Sequence, residues 1–83
     1  MKGEAFVYGF HAVMAVIETT PGNVLEVWVD PERRDARMAA LVAAAGRAGL
    51  QTQHAVARTL TRKAHSEHHQ GVVARFRPPV AVD

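Results

Sequence analysis

The sequence contains no cysteine among its 83 residues. This absence excludes disulfide bonds, thiolate nucleophiles and zinc sites built on sulfur, so the packing of apolar side chains has to supply most of the stability. Apolar runs are only a few residues long, whereas a membrane-spanning helix needs about 20, and Lys2 followed by Glu4 is a poor start for a secretory signal. We therefore expect a cytoplasmic protein in a reducing compartment, with no membrane partner.

Serine is nearly absent as well, since Ser66 is the only one in the chain. It lies between His65 and Glu67, and adjacent residues cannot form a nucleophilic relay by themselves. A metal site in this segment would depend on imidazoles and Glu67 alone, and neighbouring histidines on a loop rarely aim at one point. We predict neither catalytic residues nor metal ligands in this chain, and the role of His65, His68 and His69 stays open.

The composition that remains is that of one small globular domain. Hydrophobic residues make up 48% of the chain and charged residues 22%, and ten Lys and Arg against eight Asp and Glu give a net charge of +2. The basic residues are placed unevenly along the chain, which favours an anionic partner.

The pattern of apolar residues and turn signals predicts alternating strands and helices. Strands are predicted at 5–8, 24–29, 50–54 and 72–76, and helices from residue 10 to 20, from Asp30-Pro31 to Gly49, and at 56–63. This order favours parallel pairing through right-handed crossovers. We predict an α/β fold, a three-layer α/β/α sandwich around a mostly parallel sheet of about four strands. Residues 1–78 form the domain, and 79–83 begin an interdomain linker.

A glycine marks the turn from the first strand into the first helix. Gly9 is preceded by Tyr8 and followed by His11 in the first helical turn, where backbone N–H groups lack internal partners and the helix dipole is positive. This geometry suits a phosphate or a carboxylate. A purely structural turn stays open as the alternative, and one glycine where three are needed excludes a dinucleotide-binding fingerprint.

Two groups of basic residues stand out. The first is Arg33, Arg34 and Arg37 at the predicted start of the second helix, and the second is Arg58, Arg62 and Lys63 on the third helix. Glu32 and Asp35 are interleaved with the first group, so a solvated helix face explains it equally well. The second group has no carboxylate until Glu67 and is the stronger candidate for RNA or DNA phosphates, which the guanidinium fork binds with two hydrogen bonds.

Two segments carry a family resemblance. Residues 8–13, YGFHAV, and residues 69–75, HQGVVAR, at this spacing resemble the N-terminal substrate-binding domain of SpoU/TrmH-type RNA ribose 2'-O-methyltransferases. Within that family the likeness is greatest to the branch that methylates guanosine in bacterial large-subunit ribosomal RNA. The resemblance covers about residues 6–78, although His68 and the third helix match no family motif.

The resemblance implies a small domain similar to the kink-turn-binding ribosomal-protein fold. It implies recognition of structured rRNA, less so of tRNA, while a separate knotted domain of the same protein binds S-adenosylmethionine and transfers the methyl group. That domain is absent from this chain, so we expect no cofactor and no activity in the chain alone, and a homodimeric parent enzyme. The RNA-binding residues that we predict from the motifs and the charges together are Tyr8, Gly9, His11, Arg33, Arg34, Arg37, Arg58, Arg62, Lys63, His69 and Gln70.

The alternative is a protein-interaction or dimerisation module without RNA contact. In that case Trp28 and the Ala-rich helix would dock on a partner, and the basic residues would only maintain solubility. The exposure of Trp28 distinguishes the two interpretations, because an interaction anchor has to be accessible.

Overall fold

The computed structural model describes residues 4–78, so the predicted linker at 79–83 lies outside the described residues. Strands and helices alternate in the predicted order. A single 3-10 turn at Pro21–Asn23 separates α1 from β2. The elements are β1 (Ala5–Tyr8), α1 (Phe10–Thr19), β2 (Val24–Val29), α2 (Ala36–Arg47), β3 (Thr52–His54), α3 (Ala57–Ala64) and β4 (Val72–Phe76).

The sheet of the described part has four strands in the order β1-β4-β2-β3, and its pairing is mixed. Only β2 and β3 pair in parallel, whereas β4 is antiparallel to both β1 and β2. The prediction of a mostly parallel sheet is therefore wrong. The α/β class and the four strands are confirmed, and the sandwich description and the ribosomal-protein likeness stay predictions.

The reversal of β4 follows from the short connection that precedes it. Val72 at the start of β4 pairs with Val29, which also pairs with His54 at the end of β3. The eight-residue α3 and the loop after it therefore return the chain to the edge at which β3 ended, and β4 enters from that edge. As a result, the ends of β1, β2 and β3 meet the start of β4 at one edge of the sheet, which we call the junction edge.

The helices contact both faces of the sheet. Alternate residues of a strand point to opposite faces, and Val27 belongs to the apolar cluster of α1 and α2, whereas Trp28 packs with Leu60 of α3 and with Val73. Both clusters are well buried, with Val27, Leu60 and Val73 fully inaccessible to solvent. The cluster on the α3 side is much the smaller of the two. Part of that face of the sheet is therefore left uncovered.

The start of α2 is five residues later than Asp30-Pro31 predicts. The Asp30 carboxylate accepts a hydrogen bond from the Glu32 N–H at 2.9 Å and closes a local turn instead of capping a helix. Asp35 is the real N-cap, because its Oδ1 accepts from the Met38 N–H at 3.1 Å. Arg33 therefore precedes the helix, together with Arg34, and the predicted placement of this pair on α2 is wrong.

This N-cap makes a pH-dependent contribution to stability. The Met38 N–H, and to a smaller extent the Arg33 guanidinium, hold the pKa of Asp35 below its ordinary value of 3.8. A carboxyl whose pKa is lowered by folding stabilises the fold above its unfolded pKa, and this stabilisation is lost as the pH falls through the folded pKa. We expect Asp35→Ala to lower the melting temperature by about 4 to 8 °C near pH 7.

Thermal unfolding followed by circular dichroism at about pH 7 and about pH 2.5 checks this expectation. The difference between wild type and Asp35→Ala should shrink at the lower pH, because the protonated carboxyl no longer caps the helix as an anion. Glu32→Ala is the matched control, since it removes an exposed carboxylate three residues away that caps nothing. An equal loss of stability in both variants would show that net charge rather than capping is responsible.

None of the helices in residues 4–78 is long and apolar enough to cross a membrane.

Candidate functional site

Gly9 lies at the centre of the junction edge. Its N–H donates to the carbonyl oxygens of His69 and Val72, both at 3.1 Å, and thereby ties the end of β1 to the loop that enters β4. Its backbone has φ 88° and ψ 153°, a region that is accessible essentially to glycine alone. The conformation therefore requires glycine, and a Cβ at this position would lie 3.1 Å from the Oε1 of Gln70, so that this side chain would also have to shift.

The imidazole of His69 is an internal part of this junction. It is 7% exposed, its Nδ1 accepts from the Gly71 N–H at 2.9 Å, and its Nε2 lies 3.1 Å from the Thr61 Oγ1 of α3. Because a backbone N–H occupies Nδ1, the ring proton is on Nε2, which donates to the threonine hydroxyl. His69 therefore fixes the loop to α3 in this geometry.

Gln70 joins the same loop to α1 and to the arginines. It adopts the left-handed conformation with φ 59°, and its Oε1 accepts from the Phe10 N–H at 2.8 Å. This bond satisfies one of the free donors at the start of α1. Its backbone carbonyl also accepts from the Arg33 Nη1 at 2.9 Å. One residue thus caps a helix and positions a guanidinium.

Two guanidinium groups lie over the ring of Phe10. The Cζ of Arg33 is 4.9 Å and that of Arg37 is 5.4 Å from the ring centroid, which are cation–π distances. Arg33 is also paired with Asp35 at 3.1 Å. Arg37 has no ion-pair partner within residues 4–78. Its positive charge is therefore uncompensated at this position and available to an anion.

An open groove of about 350 Å³ lies beside the start of α1. Its lining combines an aromatic ring, an imidazole, a guanidinium, an amide and a thioether, from the residues Phe10, His11, Met14, Arg37 and Gln70. By helix geometry, the N–H groups of His11 and Ala12 have no partner within α1. We call this region the α1 groove; its cationic side chain and free amide donors suit a phosphate.

The second basic group lies on α3. Leu60 is the buried residue of this helix, and Arg58 and Arg62, two residues before and after it, lie on the opposite, solvent-exposed side. Neither forms an ion pair within the described part of the chain. Lys63 lies on a third side of the helix, with its Nζ 4.0 Å above the ring of Trp28.

Comparison with known proteins decides the family. The profile described as RNA 2'-O ribose methyltransferase substrate binding matches residues 6–80. The chain belongs to this family.

Individual relatives agree with the profile. Enzymes named 23S rRNA (guanosine-2'-O-)-methyltransferase RlmB from Vibrio vulnificus, Shewanella oneidensis and a Burkholderia species are 37%, 35% and 44% identical to this chain. The alignments cover 88%, 93% and 82% of this chain but only 30%, 31% and 28% of the relatives. The substrate-binding domain described here thus spans about a third of the length of these relatives.

Most of the predicted RNA-binding residues of this substrate-binding domain fall into two groups that flank the loop of residues 65–71, and His69 is buried within that loop. Thr61 fixes α3 to this loop through His69, and Arg33 is fixed to it through the carbonyl of Gln70. Around the α1 groove lie Gly9, His11, Arg33, Arg37 and Gln70, and on α3 lie Arg58, Arg62 and Lys63, whereas Tyr8 at the end of β1 is on the opposite face of the sheet from Val7, which packs with α1. Arg34 is exposed in the preceding turn, with its Nε 3.4 Å from the Pro31 carbonyl.

Sequence reasoning missed the parts of the site that depend on contacts between distant segments. Nothing in the local pattern around Phe10 shows that two arginines more than twenty residues later lie over its ring. Thr61 gives no signal in the sequence either. The bond from the Gly71 N–H to the His69 ring is local, since it joins residues only two apart in the histidine-rich loop.

The structure also bears on the two other interpretations of the sequence. Trp28 is 7% exposed beneath Lys63 and against α3, so the alternative of a docking module loses the anchor on which it depended. Within residues 4–78, no three histidine, aspartate or glutamate side chains are placed to hold a metal ion. His65 ends α3 in the left-handed conformation, and the N–H of His68 donates to the Ser66 hydroxyl.

Proposed function

We propose that this chain is the RNA-recognition domain of an S-adenosylmethionine-dependent rRNA ribose 2'-O-methyltransferase. It binds structured RNA and positions it for methyl transfer by a separate domain of the same enzyme. The activity for which the relatives are named supports this proposal, and the observation that carries it is the joining of the two basic groups through one hydrogen-bonded loop. Isolated surface arginines would not need such anchoring.

Each group has a distinct part in binding. In the α1 groove, Arg37 and the amides of His11 and Ala12 bind a backbone phosphate, while Arg33 stays with Asp35 and keeps the ring of Phe10 in place. On α3, Arg58 and Arg62 lie one helical turn apart and contact neighbouring phosphates. Such contacts fix the position and orientation of the RNA, and specificity comes mainly from its shape.

The α1 groove does not fit the methyl donor. S-adenosylmethionine carries a positive sulfonium and a positive ammonium group against a single carboxylate, so its net charge is positive, and the groove presents Arg37 without any carboxylate among its lining residues. Groups of like charge repel each other. We therefore assign the cofactor to the catalytic domain, and the residues of this chain bind and orient RNA only. The chain alone is inactive on this proposal.

The remaining parts of the proposal concern the full-length enzyme. A knotted catalytic domain follows the linker at 79–83, the substrate is rRNA in preference to tRNA, and two copies of the parent form a dimer. The relatives support the rRNA preference by their names, and their greater length supports a further domain.

Titration of the 83-residue chain with an rRNA hairpin at several salt concentrations tests the function. If the chain neutralises about four to six phosphates of a looped target, the logarithm of the binding constant should fall with the logarithm of salt with a slope of roughly −3 to −4. Fluorescence anisotropy of a labelled hairpin measures this slope. A tRNA of similar length is the comparison for substrate preference.

A flat salt response would contradict the electrostatic basis of the proposal. Arg37→Ala tests the α1 groove separately and should reduce the slope by about 0.7, the contribution of a single phosphate. Arg47→Ala removes an equal charge from the last turn of α2, the end of that helix opposite its N-cap, and should leave the slope nearly unchanged.

A further inference from the structure

The face of the sheet that α3 leaves uncovered carries an exposed aromatic stack. Phe6 on β1 is 45% exposed although its ring stacks on Trp28, with centroids 6.2 Å apart and planes inclined at 29°. The ammonium group of Lys63 covers Trp28 at 4.0 Å. Tyr8, two residues after Phe6 and thus on the same face, is 38% exposed. We call Phe6, Tyr8 and Trp28 with Lys63 the aromatic platform.

The charges around the platform are balanced. Arg75 bonds to the carboxylates of both Glu4 and Glu26, and these two carboxylates raise the pKa of Arg75, so the guanidinium stays charged. The amide of Gln53 occupies the other oxygen of Glu26 at 3.3 Å. Lys63 has no carboxylate partner within residues 4–78. Its positive charge and that of Arg75 together balance the negative charges of Glu4 and Glu26. A surface of this kind has little net attraction for a run of phosphates.

We propose that the aromatic platform binds an unpaired RNA base, which stacks on the free side of the Phe6 ring. This inference rests on the proposed function and adds the substrate class, namely RNA whose target loop presents unstacked bases. A base offers a flat and uncharged π-face, which matches an exposed ring in a charge-balanced surface. The ammonium of Lys63, 4.0 Å above the ring of Trp28, adds a positive charge beside the stack that suits the RNA backbone.

The platform borders the basic side of α3. Tyr8 is followed directly by Gly9, so the exposed rings of β1 lead to the junction edge, beyond which α1 packs on the opposite face of the sheet. Lys63 follows Arg62 on α3, so the platform also borders the phosphate-binding side of that helix. A loop nucleotide on Phe6 would therefore have phosphate contacts available on α3.

Trp28 provides a direct readout, because it is the only tryptophan in the chain. We would titrate the 83-residue chain with an rRNA hairpin that has an unpaired loop and with a blunt RNA duplex of equal phosphate number. Trp28 emission should change with the hairpin, at the same midpoint as the anisotropy of the labelled RNA, and should change little with the duplex. Phe6→Ala should weaken hairpin binding by about 5- to 150-fold and duplex binding by less than about 2-fold.

Two further variants control for folding and for loss of apolar surface. Phe6→Tyr keeps the ring and should restore hairpin affinity to within a few-fold of wild type. Val42→Ala removes a side chain of similar exposure on α2, which packs on the opposite face, and should leave both affinities unchanged. The melting temperature of each variant establishes that it is folded.

The outcomes separate this inference from the proposed function. Equal effects of Phe6→Ala on hairpin and duplex, or no effect on either, overturn base stacking while salt-dependent binding by wild type leaves the RNA-recognition function intact. Failure of wild type to bind either RNA overturns both. A concentration-dependent dimer of wild type that Phe6→Ala abolishes identifies the platform as an interface between copies and also overturns base stacking.

Discussion

The Gly9→Ala variant is expected to lose about 1 to 3 kcal/mol of unfolding free energy. Gly9 has φ 88° and ψ 153°, which a residue with a Cβ adopts only under strain, and the added methyl group would lie 3.1 Å from the Gln70 Oε1. Relief of this contact requires Gln70 to move. The variant should therefore also weaken the bond between Gln70 and the Phe10 N–H and disturb the α1 groove. Urea denaturation measures the stability, and RNA titration measures the effect on the groove.

Gly46→Ala is the matched control for this experiment. Gly46 lies within α2, a Cβ there would have no neighbour within 4 Å, and its φ is not positive. Since alanine favours a helix by up to about 1 kcal/mol over glycine, this variant should be more stable than wild type. If Gly9→Ala were as stable as wild type, the described conformation of the junction would be wrong.

Combined replacement of Arg58 and Arg62 with alanine is expected to weaken binding of the rRNA hairpin by about 1 to 3 kcal/mol. If each guanidinium contacts one phosphate, the salt slope should become less steep by about 1.4, that is, about 0.7 for each phosphate. Both side chains are on the solvent-exposed side of α3, opposite Leu60, so we expect the melting temperature to stay within a few degrees of wild type. Anisotropy titrations at several salt concentrations measure the affinity and the slope together.

The double variant Arg47→Ala with Arg77→Ala removes the same net charge from two exposed positions away from the junction edge. Arg47 lies in the last turn of α2, and Arg77 follows the end of β4. A specific role for α3 requires that this control loses much less affinity than the Arg58 and Arg62 variant. Equal losses would mean that overall charge attracts the RNA, and unchanged binding by both would place the main contact in the α1 groove.

The two motif segments show how much of a functional site a local sequence pattern can predict. Residues 8–13 and 69–75 identify the family, and the sequence predicts that Gly9 forms a turn at a helix start. The contacts between these two segments depend on the tertiary structure. Gln70 caps the helix that Gly9 begins, although 60 residues separate Gln70 from Phe10. No pattern within a single segment contains that information.

The sequence alone determined the order and the kind of the secondary-structure elements, because apolar periodicity, turn residues and β-branched runs are signals that span only a few neighbouring residues. The same holds for the small basic domain without cysteine chemistry. Only the tertiary structure decided that β4 enters reversed, that α2 starts at Asp35 rather than Asp30, and that Arg33 and Arg37 share one aromatic ring. Strand direction, competition between two capping carboxylates and the convergence of distant side chains each depend on the packing of the whole chain, where long-range contacts outweigh local preference.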